Sequence, residues 1–580
     1  MERISGIIKI VLCVLLFASP CFSATYYVDY ESGDDSNNGT STGSPWKHAP
    51  WDSRATGTAD STSLSAGDSL LFNRGTIYDS DGATGDLFAV DDDGSPSNQI
   101  VVGAYGTGDP PIIVGGIAID ESQFELDSGV AGTNGVYEAT NTELGLTGVT
   151  LQSFAEAASY DTFYPLADMY LEEGSSSLSR ENRFYQANTD AGTAVYIRCS
   201  DHDTPVGKDM YAIWMTECFD LGSNDGYKFE NLRIIGFVDD GFNCSAETAS
   251  GYSIEFDTMQ IWWVENGVRC MNGPIWIHDC DFRYNFWNSD GGPIPYGGYS
   301  DTSCLVEDTT IRRFENAMMF GDSSSHVPVI RRCFFMDAPE TTPYDNAEHA
   351  IRLTTANMGL YLYRNIFYDC GNDCACFDNG VSISKIYVWN NTFVEDRASE
   401  TGGSANNYTI QYNYTSTPQV DLRNNVYVQR QQFACVVGCS DMDWNNSSID
   451  HNYYINNYDV FYTWRMSTNV YTLGDMQTDS GLDCGTMDDW SEVSLTDYFE
   501  SVTYGDTDFL KPKRGGPLID AGTEITIGEN ETDYDGKTVT GTFDIGAYEY
   551  GASSNNACSV GASGTAISVG SGGTSWSAGN

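Results

Sequence analysis

The chain offers its chemistry in short strands, where alternation decides which side chains reach solvent. In the stretch Glu348-His-Ala-Ile-Arg-Leu353, inward Ile351 and Leu353 turn Glu348 and Arg352 outward and His349 inward. Arg352 could neutralise a uronate carboxylate while Glu348 or His349 moved protons, which is what eliminative cleavage of an acidic polysaccharide needs. Hydrolysis would instead need two carboxylates ~5 to 9.5 Å apart across the bond. Asp290, Glu340, Asp345 and Glu348 supply candidates for it. The plainer alternatives are an exposed Glu348/Arg352 ion pair worth ~0 to 1 kcal/mol and a core histidine at 349. The same parity turns Asn243, Arg269 and Gln411 outward as possible substrate contacts, each flanked by apolar or cysteine neighbours.

A second set of residues suits sugar binding without catalysis. Trp276, Tyr361, Tyr363, Tyr387 and Trp389 also occupy outward places. Flat aromatic faces pack against the C–H face of a sugar ring. Neighbouring strands lie ~4.8 Å apart, which sets Tyr361 beside Tyr387 and Tyr363 beside Trp389. The alternative is a structural ladder, or a strip buried beneath the region 117–215.

These residues are positioned by a repeat. Four clear copies are Ile275-Trp-Ile-His-Asp-Cys-Asp-Phe282, Leu360-Tyr-Leu-Tyr-Arg-Asn-Ile-Phe367, Ile386-Tyr-Val-Trp-Asn-Asn-Thr-Phe393 and Val420-Asp-Leu-Arg-Asn-Asn-Val-Tyr427. Weaker copies at 227–234, 254–261, 304–311, 328–335 and 447–454 make nine, with steps of 21 to 34 residues. Such a period means a solenoid. β-branched and aromatic alternation, without long stretches of helical period, selects strands over helices. Place six, with Asn365, Asn391, Asn425 and Asn452, reads as the turn and as an asparagine ladder between coils. Cys280 and Cys333 share that slot. The expected fold is all-β, a right-handed parallel β-helix of three sheets. Loops at 288–302, 337–346 and 395–407 would wall one side of it.

Composition bounds the partners. The 580 residues carry a net charge of -54, which disfavours nucleic acid and anionic membranes. An acidic polysaccharide would need a local basic patch or bound Ca2+ to reverse that field; no cofactor is demanded by any motif, and Ca2+ is the candidate. Arg3 and Lys9 with an apolar run at 10–17 read as a signal peptide cleaved after Ser23, or less simply as a lipoprotein leader using Cys21. No later apolar run reaches the ~20 residues of a membrane span, so a secreted or surface-bound monomer is expected. Fourteen cysteines follow the leader, read as stacked thiols plus one or two disulfides, with 370, 374 and 376, or 435 and 439, as the clusters. No histidines accompany them in a zinc pattern.

The N-terminal motifs Tyr26-Tyr-Val-Asp29, Gly33-Asp-Asp-Ser-Asn-Asn-Gly39 and Ser44-Pro-Trp-Lys47, and the terminal motifs Asp508-Phe-Leu-Lys-Pro512 and Asp544-Ile-Gly-Ala-Tyr-Glu-Tyr550, resemble secreted bacterial β-helix proteins of the pectate-lyase-like superfamily. The resemblance implies a leader at 1–23, a cap with first coils at 24–116, a β-rich excursion at 117–218 packed on the flank, repeats at 219–460, and terminal coils at 461–550. A Gly/Ser tail follows at 551–580. It also implies a substrate groove along the sheet preceding each repeat motif. Departures are plain. Trp276-Ile-His-Asp279 swaps the order of the pectate-lyase stretch, and Asp239-Asp240 lacks the Gly-His-Gly and Arg-Ile-Lys partners of polygalacturonases. Asp239-Asp240 then reads most simply as a turn before Gly241. A polysaccharide lyase or glycoside hydrolase is the leading expectation, against a non-catalytic carbohydrate-binding or adhesive protein, or a structural envelope component.

Overall fold

The computed structural model describes residues 23–126 except 84, the segments 136–140, 144, 153–159, 162–165, 183–187 and 194–198, and residues 209–244. From 253 to 550 it describes the coil strands and terminal segment, while several connecting stretches, 286–293, 337–348 and 396–407 among them, lie outside.

Alternation decides the architecture. Each repeat begins with a strand whose first and third residues are buried, as in Ile275–His278 and Ile254–Asp257. Among the described residues, twelve strands, from Thr25–Val28 to Ser448–Asp450, form the first face. Its register is parallel, with Tyr361 opposite Tyr387 and Tyr363 opposite Trp389. The second face runs from Ile77–Tyr78 and Ile112–Val114 to Thr486–Asp489. The third begins at Phe88–Ala89, continues through Phe219–Gly222 and reaches Cys435–Gly438 and Tyr462–Thr463. Two long strands, Arg233–Cys244 and Gln260–Cys270, pass unbroken from the second face into the third. The result is the expected parallel β-helix.

The corner between the first two faces lies one place earlier than expected. The fifth residue of all nine copies, Asn231, Thr258, Asp279, Asp308, Arg332, Arg364, Asn390, Asn424 and His451, has φ between 50° and 61°. That left-handed kink makes the turn, and place six is thereby tucked inside. There Asn365, Asn391, Asn425 and Asn452 are fully buried; the carboxamides of the first three donate to the next coil's Oδ1 at 3.0 to 3.1 Å, and that of Asn452 donates to the Leu422 carbonyl at 2.8 Å. Cys333 occupies the same column and its N–H donates to Asn365 Oδ1 at 2.9 Å. Behind them Phe335, Phe367, Phe393, Tyr427 and Tyr454 stack with centroids 4.6 to 5.3 Å apart. Cys218, Cys244, Cys280, Cys304, Cys333 and Cys370 are buried free thiols.

Two appendages matter for function. The excursion leaves at Gly116–Ile119 and returns antiparallel through Asp209–Ile213, with Tyr211 and Ile213 packed on Ile235, Trp262 and Trp263 of the second face. The terminal segment packs Phe509, Leu518, Ile545 and Tyr548 against Ile366, Val394, Val426 and Val428. Buried Arg364 pins it, with a guanidinium nitrogen 2.8 Å from Glu549 Oε1.

Candidate functional site: an acidic array on the third face

The first coils of the third face gather five carboxylates. The excursion's return delivers Glu217 between two coils: its carbonyl accepts from Leu87 N–H, while Cys218 N–H donates to the Asp240 carbonyl. Three residues after Glu217, Asp220 lies opposite Asn243, which lies opposite Arg269. A β-bulge supplies the rest. Opposite Gln260–Cys270, the pairing steps from Phe237↔Val264 to Asp240↔Asn266, so three residues oppose two. A bulge re-aims side chains, and here it brings sequence neighbours Asp239 and Asp240 to one place instead of to opposite sides of the sheet. Asn266 Nδ2 donates to both, to Asp240 Oδ1 at 2.8 Å and to Asp239 Oδ1 at 3.2 Å. Asn243 Nδ2 donates to Glu217 Oε1 at 3.3 Å, and an Arg269 nitrogen lies 3.4 Å from Asp240 Oδ2.

The array consists of two triads sharing Glu217: Asp86, Glu217 and Asp220; and Glu217, Asp239 and Asp240. Within each, one oxygen per residue lies within 4.8 Å of the others. Electrostatics follow from the crowding. Burial first, and Asp239 second, push the Asp240 carboxyl up to about 7 against the pull of Asn266 and Arg269. Glu217 also rises to about 7, through burial and then through the charges of Asp240, Asp86 and Asp220. Asp86 is raised by burial, Asp220 and Asp239. Asp240 is fully buried, and Glu217 Oε2 is buried with no hydrogen-bond partner among the described residues.

A cation fits this description. The donors are oxygen only, which suits a hard ion such as Ca2+. Metal–oxygen bonds of ~2.3 to 2.6 Å require ligand oxygens no more than ~5 Å apart, as the triads supply. By contrast, Glu255, Asp257 and His278 on the first face are already neutralised. Lys228 Nζ lies 2.8 to 3.3 Å from Asp257, Glu255 and Glu230. Burial alone would lower the His278 pKa, but Asp279 and Glu255 raise it to about 9.

The sequence-derived candidates scatter. Asn243 and Arg269 join the acidic array. Arg352 is half-buried in the same outward column: Cys270 opposite Tyr296, then Pro295 opposite Met319 and Met319 opposite Arg352, put it three strands from Arg269. That is ~14 Å at strand spacing, so the two arginines serve different points of one groove. His349 is buried, 3% exposed. Glu348, Glu340, Asp345 and Asp290 lie outside the described residues, as does the Gln411 side chain.

Trp389 and Tyr363 point away from the coil interior, yet they do not face solvent. Ile525 of the terminal segment covers both, leaving 0% and 3% exposed. Trp389 Nε1 donates to Asp421 at 3.0 Å. The cover is the terminal segment, not the excursion. Tyr361 and Tyr387 are half-buried and stacked at 4.7 Å. Trp276 is half-buried, donating to Glu307 at 2.9 Å with its ring 4.2 Å from His278.

Sequence reasoning missed Asp86, Glu217, Asp220 and Asn266, and it read Asp239-Asp240 as a turn. The available signal was the extra residue between Phe237 and Phe242 relative to Val264 and Val268.

No protein-family model and no curated protein sequence matches the chain. Among solved structures, XylC in complex with xylose matches at 11% identity, TM-score 0.49, over 90% of this chain and 98% of that one. The pectate lyase Pel9A matches at 14% identity, TM-score 0.46, over 92% and 97%. A rhamnogalacturonan lyase matches at 11% identity, TM-score 0.43, over 85% and 97%. Among the described residues, no helix is long and apolar enough to cross a membrane.

Proposed function

We propose that the protein is an exported polysaccharide lyase that acts on a uronate-containing chain laid along the third face, with a divalent cation, Ca2+ by its ligand chemistry, held by Glu217, Asp239 and Asp240. The observation that carries this reading is the convergence of five carboxylates beside one half-buried arginine, Arg269, on an outward ladder. On a surface of net charge -54, an acidic polymer needs a local reversal of field, and Arg269 alone does not provide it. A divalent ion held by Glu217, Asp239 and Asp240 would supply positive charge to neutralise a sugar carboxylate and acidify the adjacent C–H. Asn266 holds Asp239 and Asp240 in place, Asn243 orients Glu217, and Arg269 meets the substrate acid. Arg352 contacts the same chain further along.

A glycoside hydrolase is the second reading, favoured by two carboxyl groups poised near neutrality, where a general acid works best. The packing of the triad weighs against it. One oxygen from each carboxylate lies within 4.8 Å of the others, which gathers three acids at one point, whereas hydrolysis sets two acids on either side of the scissile bond.

The test incubates purified protein with uronate-rich and neutral polysaccharides, with Ca2+ or with a chelator, following unsaturated-uronate absorbance and reducing ends. Absorbance should rise on a uronate polymer with Ca2+ and vanish with chelator. Reducing ends without unsaturated product would transfer the assignment to hydrolysis; neither signal would remove catalysis.

A further inference from the structure

We infer that Arg269 exchanges partners, pairing with Asp240 when the cation is absent and turning to the acid group of the saccharide when a divalent cation takes Asp240. The inference rests on the cation reading above and adds the identity of the residue that couples cation to substrate.

Four observations carry it. Asp240 Oδ1 is anchored by the Asn266 amide at 2.8 Å, which leaves Oδ2 as the oxygen open to a second partner. That partner is Arg269, at 3.4 Å. This is well beyond the ~2.7 to 2.9 Å of a committed charge-assisted bond, and beyond what other arginines here achieve: Arg283 with Asp281 at 2.5 Å, Arg331 with Glu307 at 2.7 Å, Arg54 with Asp52 at 2.7 Å. The exposures are also unequal, 40% for the Arg269 side chain and 0% for Asp240, so the guanidinium stands at the mouth while the carboxylate stays inside. Finally, Arg269 shares its outward column with Asn243 and Asp220, the line along which a chain would lie.

The charges then dictate the coupling. A cation seated on Asp240 Oδ2 displaces a like charge held there only loosely, and the released guanidinium has its planar fork free for a carboxylate. Without saccharide, Arg269 therefore opposes cation binding. With saccharide bound it does not, so each ligand strengthens the other by the same factor.

The experiment is calorimetric titration of the full chain at neutral pH with Ca2+ alone, comparing wild type, Arg269→Gln and Arg269→Lys, with thermal melting as the check that each is folded. Arg269→Gln should bind Ca2+ roughly five- to tenfold more tightly, the lower end of usual coupling, while Arg269→Lys stays near wild type. Binding of the uronate polymer that gives most product in the assay above should then be strengthened by Ca2+ in wild type and much less in Arg269→Gln. Equal or weaker Ca2+ affinity in Arg269→Gln overturns the inference and leaves the cation site standing. So does an undiminished Ca2+ effect on polymer binding in that variant. A wild type that binds no Ca2+ overturns both.

Discussion

Replacing Asp240 by Asn should stabilise the protein, and only at neutral to alkaline pH. Asp240 is fully buried, and its carboxyl moves from an ordinary 3.8 to about 7 because burial and then Asp239 disfavour its charge. Moving a group that far corresponds to ~4 kcal/mol. The sign is set by which state holds the proton. The unfolded chain releases it near 4, whereas the folded chain keeps it until about 7, so folding loses stability as pH climbs through that window and carries the full penalty above it. Asn at 240 removes the penalty and still accepts from Asn266, but it loses the Arg269 pair. A net gain of ~1 to 3 kcal/mol at about pH 8, and none at about pH 4, is therefore expected in chelator. Thermal melting of both proteins across that range is the assay. Added Ca2+ should stabilise wild type at alkaline pH by ~2.7 kcal/mol at a hundredfold excess over its Kd, seen as a higher melting midpoint, and should barely move Asp240→Asn. A variant less stable than wild type at alkaline pH, or stabilised equally at both ends, would refute the account of the buried charge.

Other outcomes follow from the same packing. Asn425→Ala should cost ~3 to 5 kcal/mol in denaturant unfolding, because it strands the Asn391 amide and N–H and the Val388 carbonyl in a dry column. Trp389→Ala should lower stability by ~3 to 5 kcal/mol, as for a buried aromatic, with no loss of saccharide binding in affinity electrophoresis; a binding loss at unchanged stability would show that the strip is a ligand surface. Arg364→Leu should leave Glu549 buried without its partner, cost ~3 to 5 kcal/mol, and make the 494–550 segment the first to yield in limited proteolysis. Cleavage elsewhere first would detach that ion pair from the role of a pin.

Much of the fold was legible because strand chemistry is local. Alternation at places one and three, and asparagine at place six, need only the neighbouring coil to do their work, and the neighbouring coil carries the same pattern. The turn was displaced by one place, since Asp, Arg, Asn, Thr and His at place five give no common compositional signal for a left-handed residue. Parity turned Asn243, Arg269 and Arg352 outward, and the strand pairing sets the three on one column. Parity failed where the backbone departs from period two. The bulge at Asp239-Asp240 turned an apparent loop into the centre of the acidic array.

Sequence by itself therefore determined the repeat, its strand character, the asparagine ladder and the facing of regular strands, because each depends on contacts one coil away. Only the tertiary structure decided the site and the fate of the aromatic strip. Asp86 is separated in sequence from Glu217, Asp220 and Asp240 by the whole excursion, and Ile525 reaches Trp389 from the far end of the chain. Crowded charge and burial are sums over such distant neighbours, and no single stretch of residues contains them.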